Sequence, residues 1–123
     1  MSITSYIFLA GASRGVGQEI AKYLTAAALK PVLIEKEKAE QYLISSGLNY
    51  TIIRPGGLKS EPATNNGILT ENPQIVGTIH RADVAKLVCR CLNSPNSDQK
   101  ILSAIDRNMV YPGLPEFVEF NLD

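Results

Sequence analysis

A glycine cluster near the N-terminus constrains this chain more than any other feature. The segment GASRGVG, residues 11–17, lies between an apolar run at residues 6–10 and a helical pattern at residues 16–28. A tight strand-to-helix turn favours residues without a Cβ atom. Its backbone N–H groups can approach a phosphate, and the helix N-terminus adds partial positive charge. The sequence therefore predicts a phosphate-binding turn after the first strand; the alternative is a structural turn without a ligand.

The rest of the chain alternates short apolar runs with helical patterns. This alternation is typical of βαβ units, in which parallel strands carry helices on both faces. The predicted fold class is α/β: an abbreviated Rossmann-like, three-layer fold with a small, mainly parallel sheet. The segment Val32–Ile34 is predicted as either a second strand or the first turn of the next helix. The other predicted elements are helices at residues 36–46 and 81–92, strands at residues 50–54 and 101–105, and a loop at residues 59–77 with a short extended piece at residues 68–69.

Composition narrows the class of protein. The 123 residues predict one domain, residues 1–123, with a C-terminal tail from about residue 109. Twelve basic and twelve acidic residues give no net charge, which argues against nucleic-acid binding through bulk positive charge. No run approaches the ~20 apolar residues of a membrane helix. Two cysteines and an N-terminus without a basic start indicate a reducing compartment. We therefore expect a cytoplasmic protein without nucleic-acid or membrane partners.

The glycine cluster resembles the nucleotide-binding fingerprint of the short-chain dehydrogenase/reductase superfamily. The resemblance implies a dinucleotide cofactor, NADP or NAD. The residues implied to line its pyrophosphate and adenosine side are Gly11, Ser13, Arg14, Gly15 and Val16, with Gly17 supporting helix–strand packing. A basic residue at the Arg14 position is typical of members that prefer NADPH, and guanidinium suits phosphate geometry. The alternative for Arg14 is a solvated surface arginine.

The acid Glu35 indicates the opposite cofactor preference. It follows Val32–Ile34 and lies close to the position, about 20 residues past the glycines, where an acid binds the ribose hydroxyls. A carboxylate there would favour NAD by repelling a 2′-phosphate. The alternative is one more exposed charge in the run EKEK at residues 35–38.

A second resemblance is more specific. The segments KEKAE at residues 36–40, SGLNYTIIRPGGL at residues 46–58 and GTIHRADVA at residues 77–85 are similar to the NmrA-like, flavin-reductase-like branch of the same superfamily. The resemblance implies that Lys36 hydrogen-bonds to the nicotinamide ribose, which makes it the one candidate for a catalytic residue; the alternative is a solvated helix lysine. The turn formed by Arg54, Pro55 and Gly56 follows a strand, and ligands in open α/β sheets bind at the carboxyl ends of strands. We therefore expect this turn to border the nicotinamide; a purely structural turn is the alternative.

The middle of the family pattern is missing from this chain. In the family the K-x-x-A-E helix follows several further strand–helix units, whereas here it comes soon after the first helix. Two arrangements would accommodate the loss. Val32–Ile34 acts as a makeshift second strand, or the remaining strands pair directly and a second chain covers the exposed apolar surface. The second arrangement predicts a homo-oligomer.

The residues leave catalysis undecided. Typical members use Tyr-x-x-x-Lys, but no tyrosine of this chain is followed four residues later by lysine, and Val32 stands four residues before Lys36. The single histidine, His80, is a candidate general acid or base, but no nearby carboxylate or nucleophile is recognised that would support this role. Cys89 and Cys91 do not form a usual set of metal ligands. The sequence thus predicts an NAD(P)-binding protein: an NADPH-dependent reductase of an unidentified small molecule, or a catalytically inactive nucleotide-binding, dimerising or regulatory protein.

Overall fold

The computed structural model describes residues 5–10, 32–34, 39–112 and 116–123. The elements within these ranges alternate as the sequence predicts, and the predicted helix at residues 16–28 lies outside them. The elements are β1 (Ser5–Leu9), β2 (Val32–Ile34), α1 (Ala39–Ser45), β3 (Asn49–Pro55), β4 (Gly57–Lys59), β5 (Gly67–Thr70), β6 (Thr78–His80), α2 (Arg81–Leu92), a 3₁₀ turn (Pro95–Ser97) and β7 (Lys100–Asp106).

The main sheet has five described strands in the order β2-β1-β3-β7-β5. The pairs β2–β1, β1–β3 and β3–β7 are parallel, and β5 adds an antiparallel edge to β7. Val32–Ile34 forms a second strand, as the first predicted arrangement requires, and β1 also pairs directly with β3. The second chain of the other arrangement stays a prediction. The predicted α/β fold with a small, mainly parallel sheet is confirmed.

Alternating side chains place a hydrophobic core on each face of the main sheet. On one face Ile7, Ile53 and Leu102 belong to the larger buried cluster, together with the apolar side of α2. On the other face Phe8 and Ile52 pack with Leu43 of α1. Because successive residues of a strand point to opposite faces, these neighbours separate into two cores. The result is the predicted helix–sheet–helix layering.

The two described helices begin and end for local reasons. Helix α1 stops before Gly47, whose φ of +76° is the left-handed conformation that favours glycine after a helix. Helix α2 covers the predicted residues 81–92 and buries Val84, Leu87 and Val88 on one side. That spacing of three and four residues is the pattern of an amphipathic helix.

A small second sheet departs from the sequence prediction. Strands β4 and β6 pair in parallel, with Leu58 opposite Ile79. They lie at the two ends of the segment predicted as a loop, residues 59–77. The predicted extended piece becomes β5. The tail contributes an isolated antiparallel bridge between Glu119 and Thr70. In the part of the chain that the structure describes, none of the helices has the length and apolar character needed to cross a membrane.

Candidate functional site

The carboxyl ends of the parallel strands form the candidate site. Strands β1, β3 and β7 are parallel, so Leu9, Pro55 and Asp106 end at one edge of the sheet. The backbone N–H of Ala10, directly after β1, donates to the carbonyl of Ile53 (2.8 Å), which extends the pairing to the base of the glycine segment. The segment between β1 and β2 therefore leaves the sheet at this edge.

The strand order makes the gap beside β1 a topological switch point. After β1 the chain goes to β2 on one side, and it then returns to β3 on the other side of β1. In open α/β sheets ligands bind outside the carboxyl ends of strands where the order reverses in this way. The described part of this edge thus has the topology that a dinucleotide requires.

The turn after β3 is held by close backbone contacts. The N–H of Gly56 donates to the carbonyl of Ala104 (2.9 Å), and the N–H of Gly57 donates to the carbonyl of Gly77 (3.0 Å). A Cβ atom at Gly56 would lie 2.6 Å from the Gly77 carbonyl oxygen and 2.6 Å from Cδ1 of Ile105. Packing alone therefore requires glycine at this predicted site residue.

The predicted site residue Arg54 pairs with helix α1. Its guanidinium forms an ion pair with the carboxylate of Glu40, and both side chains are partly exposed. The pair joins the end of β3 to α1 and fixes the guanidinium beside the Pro55–Gly56 turn. It also gives Arg54 a structural contact that the sequence did not predict.

Three of the predicted site residues, Arg54, Pro55 and Gly56, lie at and directly after the end of β3, beside the switch point. The remaining predicted site residues lie outside the described residues, and their roles stay predictions: Gly11, Ser13, Arg14, Gly15, Val16, Gly17, Glu35 and the catalytic candidate Lys36.

A buried polar cluster at the end of β7 was missed by sequence reasoning. The sequence did not predict a carboxylate beside His80, but the structure places Asp83 and Asp106 next to it, and all three residues are buried. The Asp83 carboxylate accepts the backbone N–H groups of Thr64 and Asn65 at 2.9 Å each. The three-residue spacing of His80 and Asp83 at the start of a helix was an available signal, whereas Asp106 comes from a different strand.

The surroundings shift the pKa of the Glu61 carboxyl, which lies near this cluster, and the pKa values of the two cysteine thiols. A hydrogen bond from its own backbone lowers the pKa of the exposed Glu61 carboxyl; desolvation opposes this, and the nearby His80 adds to it. Burial raises the pKa of the Cys91 thiol to about 12 and also raises the pKa of the half-buried Cys89. Because the thiolate is the nucleophilic form, these pKa shifts make both cysteines poor nucleophiles.

Comparison with known proteins decides the family. The model of an NAD(P)H-binding family matches residues 6–95, which include the glycine segment, the Pro55–Gly56 turn and α2. The chain belongs to this NAD(P)H-binding family. The resemblance to the NmrA-like branch of the short-chain dehydrogenases is confirmed, and the predicted cofactor class, NAD(P), stands with it.

Similar proteins occur in plants and bacteria. The chain is 40% identical over 76 residues to the uncharacterized chloroplastic protein At2g34460 of Arabidopsis thaliana, covering 61% of this chain and 27% of that protein. It is 44% identical over 73 residues to the uncharacterized sugar epimerase YhfK of Bacillus subtilis (strain 168), covering 59% of this chain and 34% of that protein. A solved anaerobilin reductase from Escherichia coli O157:H7 has a TM-score of 0.58 and 27% identity, over 93% of this chain and 53% of that one.

These relatives also correct one prediction. The matched segments span about a third or less of the two curated relatives. Several plant relatives are chloroplastic proteins, so the expectation of a cytoplasmic protein is wrong. The expectation rested on the low cysteine content, which indicates a reducing compartment but does not distinguish one such compartment from another.

Proposed function

We propose that this chain binds NADPH at the carboxyl edge between β1 and β3 and acts as the cofactor-binding part of a reductase. One observation carries the proposal: the chain leaves β1 through the glycine segment at the point where the strand order reverses. A helix N-terminus and backbone N–H groups at such a point suit a pyrophosphate.

Different residues of this edge would bind different parts of the cofactor. Gly11, Ser13, Arg14, Gly15 and Val16 are proposed for the pyrophosphate and adenosine side, with Arg14 meeting the 2′-phosphate, and Gly17 for helix packing. Glu35 would bind the ribose hydroxyls only of NADH, because a carboxylate there repels a 2′-phosphate. Arg54, Pro55 and Gly56 end β3 on the other side of the switch point, so they are proposed to border the nicotinamide. Lys36 is proposed to bond the nicotinamide ribose.

The reaction class follows from the cofactor and from one relative. Bound NADPH supplies a hydride, and the likeness to an anaerobilin reductase supports reduction of a small organic molecule. In this proposal the residues of this chain bind and orient the cofactor. Arg54 holds the end of β3 against α1 through Glu40, which keeps the turn in place.

A titration with a matched pair of variants tests the binding step. NADPH and NADH are titrated separately into the full chain, and cofactor fluorescence and heat are measured. Arg54→Gln and Glu40→Gln break the same ion pair, but only Arg54 is proposed to border the cofactor. We expect Arg54→Gln to weaken NADPH binding by about tenfold, roughly 1.4 kcal/mol, and Glu40→Gln to leave it nearly unchanged. Absence of saturable binding by either cofactor would refute the proposal.

A nucleotide-binding protein without catalysis is the second candidate. The observation that favours it is the absence of a Tyr-x-x-x-Lys motif from the whole sequence. The two candidates separate in one assay, which follows NADPH absorbance with a panel of quinones, flavins and open-chain tetrapyrroles. Saturable NADPH binding without oxidation of the cofactor by any acceptor favours the non-catalytic candidate.

A further inference from the structure

A cluster of metal-ligand residue types is buried between three elements. His80 ends β6, Asp83 lies in the first turn of α2, and Asp106 ends β7. Their exposed fractions are 5%, 2% and 0%. One ligand atom from each residue lies within 4.8 Å of the other two. None of these three residues is among those proposed above to bind the cofactor.

The imidazole of His80 directs one nitrogen into the cluster. Its Nε2 lies 3.4 Å from the carboxylate of Glu61, and its Nδ1 lies 3.7 Å from Oδ2 of Asp83. Nδ1 is fully buried and has no hydrogen-bond partner among the described residues. A histidine that binds a metal commonly donates its other ring N–H to a carboxylate. In the tautomer that carries its proton on Nε2, the nitrogen nearer Glu61, the Nδ1 lone pair is available to a cation beside Asp83.

The two carboxylates are held in place and keep acceptor capacity. The Thr64 hydroxyl lies 2.5 Å from Oδ2 of Asp106 and 3.3 Å from Oδ2 of Asp83, but it has one proton and donates to one of them at a time. The backbone N–H of Asn108 donates to Oδ1 of Asp106 at 2.8 Å. Each carboxylate oxygen has about two lone-pair sites, so both retain acceptor sites toward His80.

An imidazole nitrogen without a hydrogen-bond partner and two carboxylates buried together favour a cation between them, because uncompensated buried charge is costly. Ligand distances of about 2.0–2.2 Å place three ligand atoms of one ion roughly 3.3–3.8 Å apart. The 3.7 Å between Nδ1 of His80 and Oδ2 of Asp83 is already in this range, and a pair at the 4.8 Å limit would have to close by about 1 Å. Mixed imidazole and carboxylate ligands suit zinc, manganese, iron and cobalt, whereas magnesium and calcium prefer oxygen alone.

We propose that His80, Asp83 and Asp106 bind one divalent first-row transition-metal ion, with the Thr64 hydroxyl beside it. The ion joins the ends of β6 and β7 to the start of α2 and fixes the segment before β5 through Thr64 and Asn65. The site does not depend on NAD(P)H, and its tests need no enzymatic activity.

Calorimetric titration of the full chain with zinc chloride tests the site. We expect one ion per chain and a rise in the melting temperature. Two variants remove a ligand each with little change in shape. Asp106→Asn keeps an oxygen for the Asn108 N–H, and His80→Gln keeps an amide near the position of Nε2 without replacing Nδ1. Loss of a ligand should weaken binding by at least about tenfold, whereas the control Asp98→Asn should change it less than about twofold.

Cobalt separates this site from the cysteines. Cobalt(II) bound by nitrogen and oxygen gives weak visible bands without the strong near-ultraviolet charge-transfer band of a thiolate complex. Three results would overturn the proposal: no binding by folded wild-type protein, binding with a thiolate band, or binding unaffected by both ligand variants. Urea unfolding of each variant confirms that it is folded, and if one variant does not fold the other still decides.

Discussion

Alanine at Gly56 is expected to destabilise the fold by a measurable amount. The new Cβ would meet the Gly77 carbonyl oxygen and Cδ1 of Ile105, each at 2.6 Å. The carbonyl cannot move freely, because it also accepts the N–H of Gly57. Overpacking of this kind costs about 1–3 kcal/mol, and the smaller conformational freedom of the unfolded alanine chain returns about 0.4–1 kcal/mol. The net loss in unfolding free energy is therefore about 1–2 kcal/mol.

Gly57→Ala is the matched control for this prediction. Its Cβ would contact Cγ2 of Thr78 at 3.2 Å, and the Gly77 oxygen would be 3.7 Å away, so we expect a change within about 1 kcal/mol. Urea denaturation followed by circular dichroism measures both variants. In a thermal scan Gly56→Ala should melt about 4–8 °C lower than wild type.

A double variant tests the cause of the loss. Ile105→Val removes the Cδ1 atom, so it should lessen the cost of alanine at Gly56, and the two changes together should cost less than their sum by about 0.5 kcal/mol or more. The reasoning is refuted if Gly56→Ala is as stable as wild type, or if Gly57→Ala loses as much.

Three further predictions concern the cysteines, the buried cluster and association. The pKa of Cys91 is raised to about 12 by burial, so the folded chain keeps a proton that the unfolded chain loses above pH 9. The unfolding free energy should therefore fall as the pH rises from 9 towards 12, by up to about 1.4 kcal/mol per pH unit. Urea melts of the wild type and of Cys91→Ala over this pH range measure the contribution of the thiol. An equal pH dependence of the unfolding free energy in both proteins would contradict the prediction. Thr64→Val removes the hydroxyl that contacts the buried Asp106 and should cost about 1–3 kcal/mol in the same assay, whereas an unchanged midpoint would show that the contact is unimportant. The predicted homo-oligomer should give about twice the monomer mass or more by light scattering at micromolar concentration, and a monomer mass would count against it.

Local patterns predicted the elements that pack on the main sheet. The residues of α2 repeat apolar side chains every three or four positions, and these bury against β1, β3 and β7. Residues 50–54 are β-branched and aromatic, and Ile52 and Ile53 lie in the two cores. In such segments the local preference and the tertiary packing agree, so the sequence is sufficient.

The sequence did not predict which strands distant in the chain would pair with each other. Strands β4 and β6 have three residues each, and they pair where the Gly56–Gly57 turn lies against Gly77. The sequence also left open how the strands would pair. The structure resolves this with β2 beside β1 and β1 beside β3. Nothing local in residues 32–34 distinguishes a strand from a helical turn.

Only part of the candidate site could be predicted from the sequence, because its remaining contacts join elements that are distant in the chain. The turn at Arg54, Pro55 and Gly56 follows an apolar strand, so its place at the carboxyl edge follows from the pattern. The ion pair of Arg54 with Glu40 and the meeting of His80 with Asp106 depend on how separate elements pack. Such contacts require the tertiary structure.

Residue-resolved NMR can show directly where NADPH binds on this fold. Amide signals of the ¹⁵N-labelled chain are followed as NADPH is added. The account predicts saturable shifts at Ala10, Gly56 and Gly57 on the carboxyl edge, with little change at Asn49 and Lys100, which begin β3 and β7 at the opposite edge. Shifts confined to that opposite edge, or no saturable shift at high micromolar NADPH, would contradict the account.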